Sequence, residues 1–112
     1  MKIHTLKLAT EPFEAIKSGQ KIIESRLYDE KRREIEIGDE IEFTNRDSGE
    51  KLLTEVVGLH RFKNFETMFE RMEPVKFGGE SKEWLLNQIS EFYPKEEQEQ
   101  FGVVGIEIIL KN

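Results

Sequence analysis

The sequence contains no cysteine, three prolines, one tryptophan, two histidines and no long run of apolar residues. Without cysteine the chain cannot form a disulfide, and a zinc site would need His4, His60 and carboxylates, which do not have the spacing of metal ligands. No stretch approaches the roughly 20 apolar residues of a membrane-spanning helix, and the N-terminal residues alternate between polar and apolar instead of forming a signal region. We therefore expect a cytoplasmic protein with no metal, no cofactor and no membrane contact.

The chain is rich in charge, with 36% charged residues beside 37% hydrophobic ones. Its 112 residues are the length of one domain, so we expect a single domain over residues 1–112 with one core. The formal net charge of −6 argues against loose binding to long DNA or RNA, which draws on an overall positive potential. A compact and specific site with a local basic pocket remains compatible with this charge.

Alternating apolar residues predict a series of β-strands, near residues 3–8, 22–28, 40–44, 52–59 and 102–109, with a shorter alternating stretch at 34–37. Capping and breaking residues delimit four short helices, marked by Thr10 and Gly19, by Asn64, by Ser81 and by Pro94. A meander of strands with one early helix is typical of a small barrel. The predicted fold class is α+β, mostly β: a small β-barrel with flanking short helices.

One predicted strand carries three charged residues that can converge. A glycine turn at Gly19 brings Lys21 onto this strand, where Glu24 and Arg26 share one face because side chains alternate along a strand. An ammonium and a guanidinium held by a carboxylate can grip a phosphate or the polar edge of a base. The alternative is an ordinary charged strand face, with Glu24 and Arg26 paired in solvent.

Residues 19–26 read G-x-K-x-x-E-x-R, and R-L-Y-D-E-K-R, G-D-x-I-x-F and V-G-L-H-R-F follow in order, with F-Y-P-K-E-E and G-V-V-G-I near the end. This ordered set resembles the bacterial ASCH domain family over nearly the whole length. The resemblance implies a PUA-like β-barrel with a cleft beside the helix-to-strand turn. It also implies that the ligand is RNA or a nucleotide-like molecule.

Carried over by position, the resemblance implies that Lys21, Glu24 and Arg26 line the cleft. The resemblance places Ser25, Lys31, Arg32, Arg61 and Tyr93 on the rim of this cleft. Exposed arginine and tyrosine side chains stack on the bases of single-stranded RNA. A solvated charged loop is the alternative for Lys31 and Arg32, and core packing is the alternative for Tyr93.

The aromatic residues of the second half are interpreted chiefly as core, because Phe65 and Phe69 lie on the apolar stripe of a predicted helix. Trp84 falls on a similar stripe. Only Phe62 and Phe77, in predicted loops, are candidates for the cleft.

An enzymatic alternative comes from one branch of the family. The bacterial acetylcytidine amidohydrolase has a similar motif, in which Lys-x-x-Thr stands where this sequence has Lys21-x-x-Glu24. Its threonine is the nucleophile, and a distant glutamate completes its site. Here Glu24 takes the position of the nucleophilic threonine, and its acyl intermediate would be an anhydride. Glu73 and Glu80 lie near the region expected for the distant acid. We therefore do not expect this amidase reaction, in which Lys21 and Glu24 would be the catalytic candidates.

Two further alternatives stay open. RNA cleavage, which the resemblance implies for some members, would need His4 or His60 with Lys21 as acid and base groups. Each histidine lies alone in a predicted strand, which is typical of a structural role. The other alternative is a protein-interaction domain in which the charged cleft is incidental. The interpretation that the sequence favours is a binding module for RNA or a nucleotide over an enzyme.

Overall fold

A computed structural model describes residues 1–111 and contains one five-stranded, curled sheet. Its strands are β1 (Ile3–Leu8), β2 (Ile23–Leu27), β3 (Glu40–Asn45), β4 (Lys51–Phe62) and β5 (Val103–Leu110). They lie side by side in the order β1-β3-β4-β5-β2. Only β1 and β3 run parallel, and the other neighbours are antiparallel. The first two strands of the chain therefore form the two edges of the sheet.

Short helices connect and flank these strands. They are α1 (Thr10–Lys17), α2 (Glu30–Arg33), α3 (Phe65–Arg71), α4 (Lys82–Ser90) and α5 (Lys95–Phe101), with a 3₁₀ turn at Pro74–Phe77 between α3 and α4. None of these helices has the length and apolar character that crossing a membrane requires. The predicted α+β class is confirmed, and the sheet takes the form of a curled half-barrel.

Two predicted helix caps are confirmed and one is wrong. Asn64 accepts a hydrogen bond from the Thr67 amide at 2.8 Å, and the Ser81 hydroxyl accepts one from the Trp84 amide at 3.1 Å. At α1 the capping position is Ala9, which has no polar side chain. The Thr10 hydroxyl donates instead to Oδ2 of Asp47 at 2.7 Å. Thr10 thus joins α1 to the β3–β4 turn.

The predicted meander is also wrong. β1 pairs with β3, while β2 lies at the far edge beside β5. Alternation identifies a strand and its buried face, but it carries no information about the neighbouring strand. The stretch 34–37 is a turn that follows α2, with Ile35 buried and Ile37 exposed.

Side chains at alternate positions of β5 pack into two apolar clusters, one on each face of the sheet. Val104, Ile106 and Ile108 pack inside the curl, with Phe13 and Phe43 among their neighbours. On the other face Val103 packs in a second cluster that α3, α4 and the 3₁₀ turn cover, with members Ile23, Leu27, Phe65, Met68 and Leu85. The period of two along a strand explains this division. β2 and the helices are thereby fixed against one another.

Both ends of the described chain converge on Glu40, the first residue of β3. The Glu40 amide donates to the Lys2 carbonyl at 2.8 Å, and Oε2 of Glu40 pairs with the Lys111 ammonium at 2.7 Å.

Candidate functional site

The charged residues on and before β2 form a compact, nearly buried cluster. Oε1 of Glu24 lies 2.8 Å from the Lys21 ammonium, and Oε2 lies 2.6 Å from Nε of Arg26. The three side chains are 5%, 13% and 12% exposed for Glu24, Lys21 and Arg26. The alternative of a solvated strand face is therefore wrong, because a pair in solvent would be far more exposed.

The surroundings of Glu24 keep it ionised. Burial acts to raise the pKa of the Glu24 carboxyl, but the charges of Lys21 and Arg26 and their hydrogen bonds outweigh it and lower the pKa to about 2. Burial likewise acts to lower the pKa of Arg26, and the Glu24 carboxylate reverses this and raises it. The cluster therefore keeps one negative and at least one positive charge locked together at neutral pH.

Backbone contacts from two neighbouring elements place Lys21. Its amide donates to the Ala15 carbonyl at 3.0 Å, and the next amide, of Ile22, donates to the Lys76 carbonyl at 2.9 Å. Gly78 has a φ of +79°, and a Cβ there would approach Cβ of Lys21 to 3.2 Å. A glycine at this position lets the 3₁₀ turn lie directly on the aliphatic stem of Lys21.

Arg26 also spans the gap between the two edges of the sheet. Its Nη2 donates to the Lys7 carbonyl on β1 at 3.0 Å, while its Nε is paired with Glu24 on β2. β1 and β2 are not neighbours in the hydrogen-bonded order of the sheet. A side chain, not a strand ladder, thus connects the edges at this point.

A cavity of about 720 Å³ opens over this cluster. Its walls come from the end of β1, the start of α1, β2, the β3–β4 turn, α3, the 3₁₀ turn and α4 with the residues after it. Its volume lies in the range of sites for small ligands, roughly 300–1,000 Å³. Lys21, Glu24 and Arg26 are the buried charged part of its lining.

Two further predicted residues, Ser25 and Tyr93, also line the cavity. The ring of Tyr93 packs 5.5 Å from that of Phe65, so it belongs to the core and to the cavity wall at once. Ser25 faces away from Glu24 along β2, but β2 is an edge strand, and residues of both faces border the opening. Five of the eight predicted site residues are thus brought together.

The remaining three lie elsewhere. Lys31 lines a separate, shallower cavity together with His4, and Arg32 is paired with Asp29 at 3.0 Å. Arg61 lies on β4 with its guanidinium carbon 5.7 Å from the centre of the Tyr28 ring. The resemblance implied that all three lie on the rim of the cleft, but none of them lines the cavity over β2.

Sequence reasoning missed the exposed aromatic part of the lining. Trp84 is 36% and Phe92 66% exposed, and both border the cavity. Of the predicted loop candidates, Phe77 lines the cavity although it is buried, whereas Phe62 lies at the end of β4 outside it. Phe92 lies two residues beyond Ser90, the last residue of α4.

Neither histidine lines the cavity. Nε2 of His4 lies 2.8 Å from Oδ2 of Asp39, and Nε2 of His60 lies 2.8 Å from Oε1 of Glu107. The hydrogen bond with His4, aided by two backbone amides and against the effect of burial, lowers the pKa of Asp39 to about 2. In residues 1–111 no three His, Cys, Asp or Glu side chains are grouped as metal ligands.

A curled half-barrel with a charged cavity between its edge strands defines a small α+β domain. The ASCH domain model matches residues 6–111, and the chain belongs to the ASCH domain family. The crystal structure of the hypothetical protein PH0355 is similar, with 38% identity and a TM-score of 0.86 over 99% of this chain and 100% of that one. The solution structure of protein PF0455 from Pyrococcus furiosus has 36% identity and a TM-score of 0.76 over 98% and 97%.

A more distant structure shares the fold. The ASCH domain from Lactobacillus crispatus is 13% identical, with a TM-score of 0.64 over 97% of this chain and 79% of that one. No curated protein matches the chain.

Proposed function

We propose that this protein binds RNA or a nucleotide-like molecule in the cavity over β2. The observation that carries the proposal is the composition of the lining: a buried cluster of Lys21, Glu24 and Arg26 with the exposed rings of Trp84 and Phe92 beside it. Nucleotides combine a planar base with polar and anionic groups. Aromatic rings stack on the bases, and fixed cations bind the polar parts. Membership of the ASCH family, whose members are often proposed to bind RNA, supports the same ligand class.

The cluster holds donors in place for a ligand. The Lys21 ammonium carries three N–H groups and the Arg26 guanidinium five, and Glu24 and the Lys7 carbonyl use only part of them. Because Glu24 orients both cations before binding, little side-chain entropy is lost when a ligand arrives. This arrangement favours a site that is preorganised for recognition.

The same geometry favours binding over hydrolysis. A general base works best with a pKa near the operating pH, and the pKa of Glu24 is about 2. Both carboxylate oxygens of Glu24 are engaged by cations, so neither is a ready nucleophile. Glu73 and Glu80, the candidates for a distant acid, do not border the cavity, and neither do His4 and His60.

Trp84 provides the test, because it is the one tryptophan of the chain and it borders the cavity. Short single-stranded RNAs and nucleotides are titrated into the protein while the Trp84 fluorescence and backbone amide shifts are recorded. We expect quenching by stacking, with shifts clustered on residues 21–26. Absence of both responses with every ligand would overturn the proposal and direct attention to protein partners.

A matched pair of variants assigns the response to the cluster. Lys21→Gln removes one cation of the lining, and we expect affinity to fall at least about tenfold, the loss of roughly one charge-assisted hydrogen bond. Lys63→Gln removes an exposed lysine outside the cavity and should leave affinity unchanged. Circular dichroism and thermal unfolding confirm that both variants are folded. Equal affinities of Lys21→Gln and the wild type would remove the cluster from the site.

A further inference from the structure

Two cations outside the buried cluster border the same cavity. Lys7 lies near the end of β1 and Arg46 in the β3–β4 turn, and both side chains are exposed. The Arg46 amide donates to the Leu8 carbonyl at 2.7 Å, and the Lys7 carbonyl accepts from Arg26. Their backbones are therefore fixed next to the cluster, while their ends can reach a ligand.

In the part of the chain that the structure describes, the side chains of Lys7 and Arg46 form no ion pair with a carboxylate. Asp47 also borders the cavity, but its Oδ2 already accepts the Thr10 hydroxyl at 2.7 Å. Exposed, unpaired cations at the mouth of a cavity are available to an anion.

The charge balance of the lining differs from that of the whole molecule. The chain carries a net charge of −6, whereas the cationic side chains of the lining outnumber its carboxylates by four to three. A surface that is negative elsewhere directs an anionic ligand toward its locally positive region. The lining charges are Lys7, Lys21, Arg26 and Arg46 against Glu11, Glu24 and Asp47.

We propose that Lys7 and Arg46 form a phosphate-binding rim, and that the ligand is a phosphorylated nucleoside unit whose base stacks on Trp84 or Phe92. This inference rests on the proposed function and specifies its ligand. The buried cluster then contacts the polar groups of the base or sugar, and the rim contacts the phosphate. A free nucleotide and one residue of a single-stranded RNA share this chemistry.

The test compares each nucleoside with its 5′- and 3′-monophosphates by Trp84 fluorescence. The measured quantity is the ratio of nucleoside Kd to nucleotide Kd. We expect a ratio of about tenfold or more for at least one phosphate position, the scale of one charge-assisted contact. In the double variant Lys7→Gln/Arg46→Gln the ratio should fall to near one, while the nucleoside Kd stays unchanged. Lys63→Gln/Arg71→Gln, two exposed cations outside the cavity, should keep the wild-type ratio.

The outcomes separate this inference from the proposed function. If nucleosides bind and their monophosphates bind equally well, the rim is overturned and the proposed function stands. If the ratio survives in Lys7→Gln/Arg46→Gln, another group binds the phosphate and the rim is again overturned. If neither ligand nor any RNA binds, both fail together.

A four-residue RNA distinguishes the two sources of the phosphate. Tighter binding of this RNA than of the mononucleotide, lost in Lys7→Gln/Arg46→Gln, supports the rim with RNA as the source. Equal binding, with the same loss, supports the rim with a free nucleotide.

Discussion

Glu24 carries its charge in a position that is almost closed to water. Removing a carboxylate from water costs several kcal/mol, and here two cations within 2.8 Å offset that cost. Removal of one partner from such a buried group is more harmful than removal of the whole group, because the remaining charges stay buried and unpaired. Glu24 is therefore a structural requirement for placing Lys21 and Arg26.

Glu24→Gln tests this requirement, because it keeps the shape of the side chain and removes its charge. We expect the free energy of unfolding at pH 7 to fall by about 3 kcal/mol. Urea-induced unfolding measures it. Glu42→Gln removes the partner of an exposed ion pair with Lys51, and should change the stability by less than about 1 kcal/mol. Similar values for the two variants would contradict the account of the buried cluster.

The sequence predicted which residues would meet at the cluster, but not the exposed aromatic rings or the rim. The two-residue spacing of Glu24 and Arg26 places both side chains on one face of β2. Gly19 indicates the turn before Lys21. Trp84 and Leu85 are adjacent in α4, and only the position of the helix on the sheet decides that Leu85 is buried and Trp84 exposed. Arg46 enters the cavity because β1 and β3 are parallel neighbours, which alternation does not reveal.

At the scale of elements, local capping chemistry marks where α3 and α4 begin. Asn64 and Ser81 each satisfy an amide at the start of a helix, and both were visible in the sequence as polar residues before an apolar stripe. The pairing of strands had no such local signal. The starts of α3 and α4 were thus predictable, whereas the cap of α1 and the crossing of β2 to the far edge were not.

Asn64→Ala removes the cap of α3, and we expect the free energy of unfolding to fall by about 1 kcal/mol. Thermal or urea unfolding detects this change. Asn87→Ala, on the exposed face of α4, is the matched control and should leave the stability equal or slightly higher, since alanine favours a helix. A neutral result for Asn64→Ala would mean that the Thr67 amide finds another partner.

For the whole molecule, buried carboxylates determine the response to acid. Glu24 and Asp39 have a pKa of about 2 in the folded protein, below the ordinary values of 4.5 and 3.8. A carboxyl whose pKa is lowered by folding stabilises the folded state at pH values above its unfolded-state pKa. This contribution is lost as the pH falls through the folded-state pKa. For Glu24 the difference corresponds to about 3 kcal/mol. The protein therefore loses the stabilising contribution of these two carboxylates between pH 5 and pH 2.

We expect the free energy of unfolding to decrease steeply over that interval, and Glu24→Gln and Asp39→Asn each to flatten the decrease. Urea unfolding at half-unit steps of pH measures it. Glu42→Gln, whose carboxylate is more exposed, should retain the wild-type slope. Parallel curves for all four proteins would show that other groups determine the acid response.

The convergence of the two chain ends on Glu40 has a practical consequence for handling the molecule. The lining of the cavity runs from Lys7 to Tyr93, so neither the first residues nor β5 contributes to it. A biosensor surface, a purification handle or a fused reporter can therefore be attached at either end with the cavity left open to the solution. Since Lys2 and Lys111 both contact Glu40, attachments beyond these two residues would leave the domain from neighbouring points of its surface.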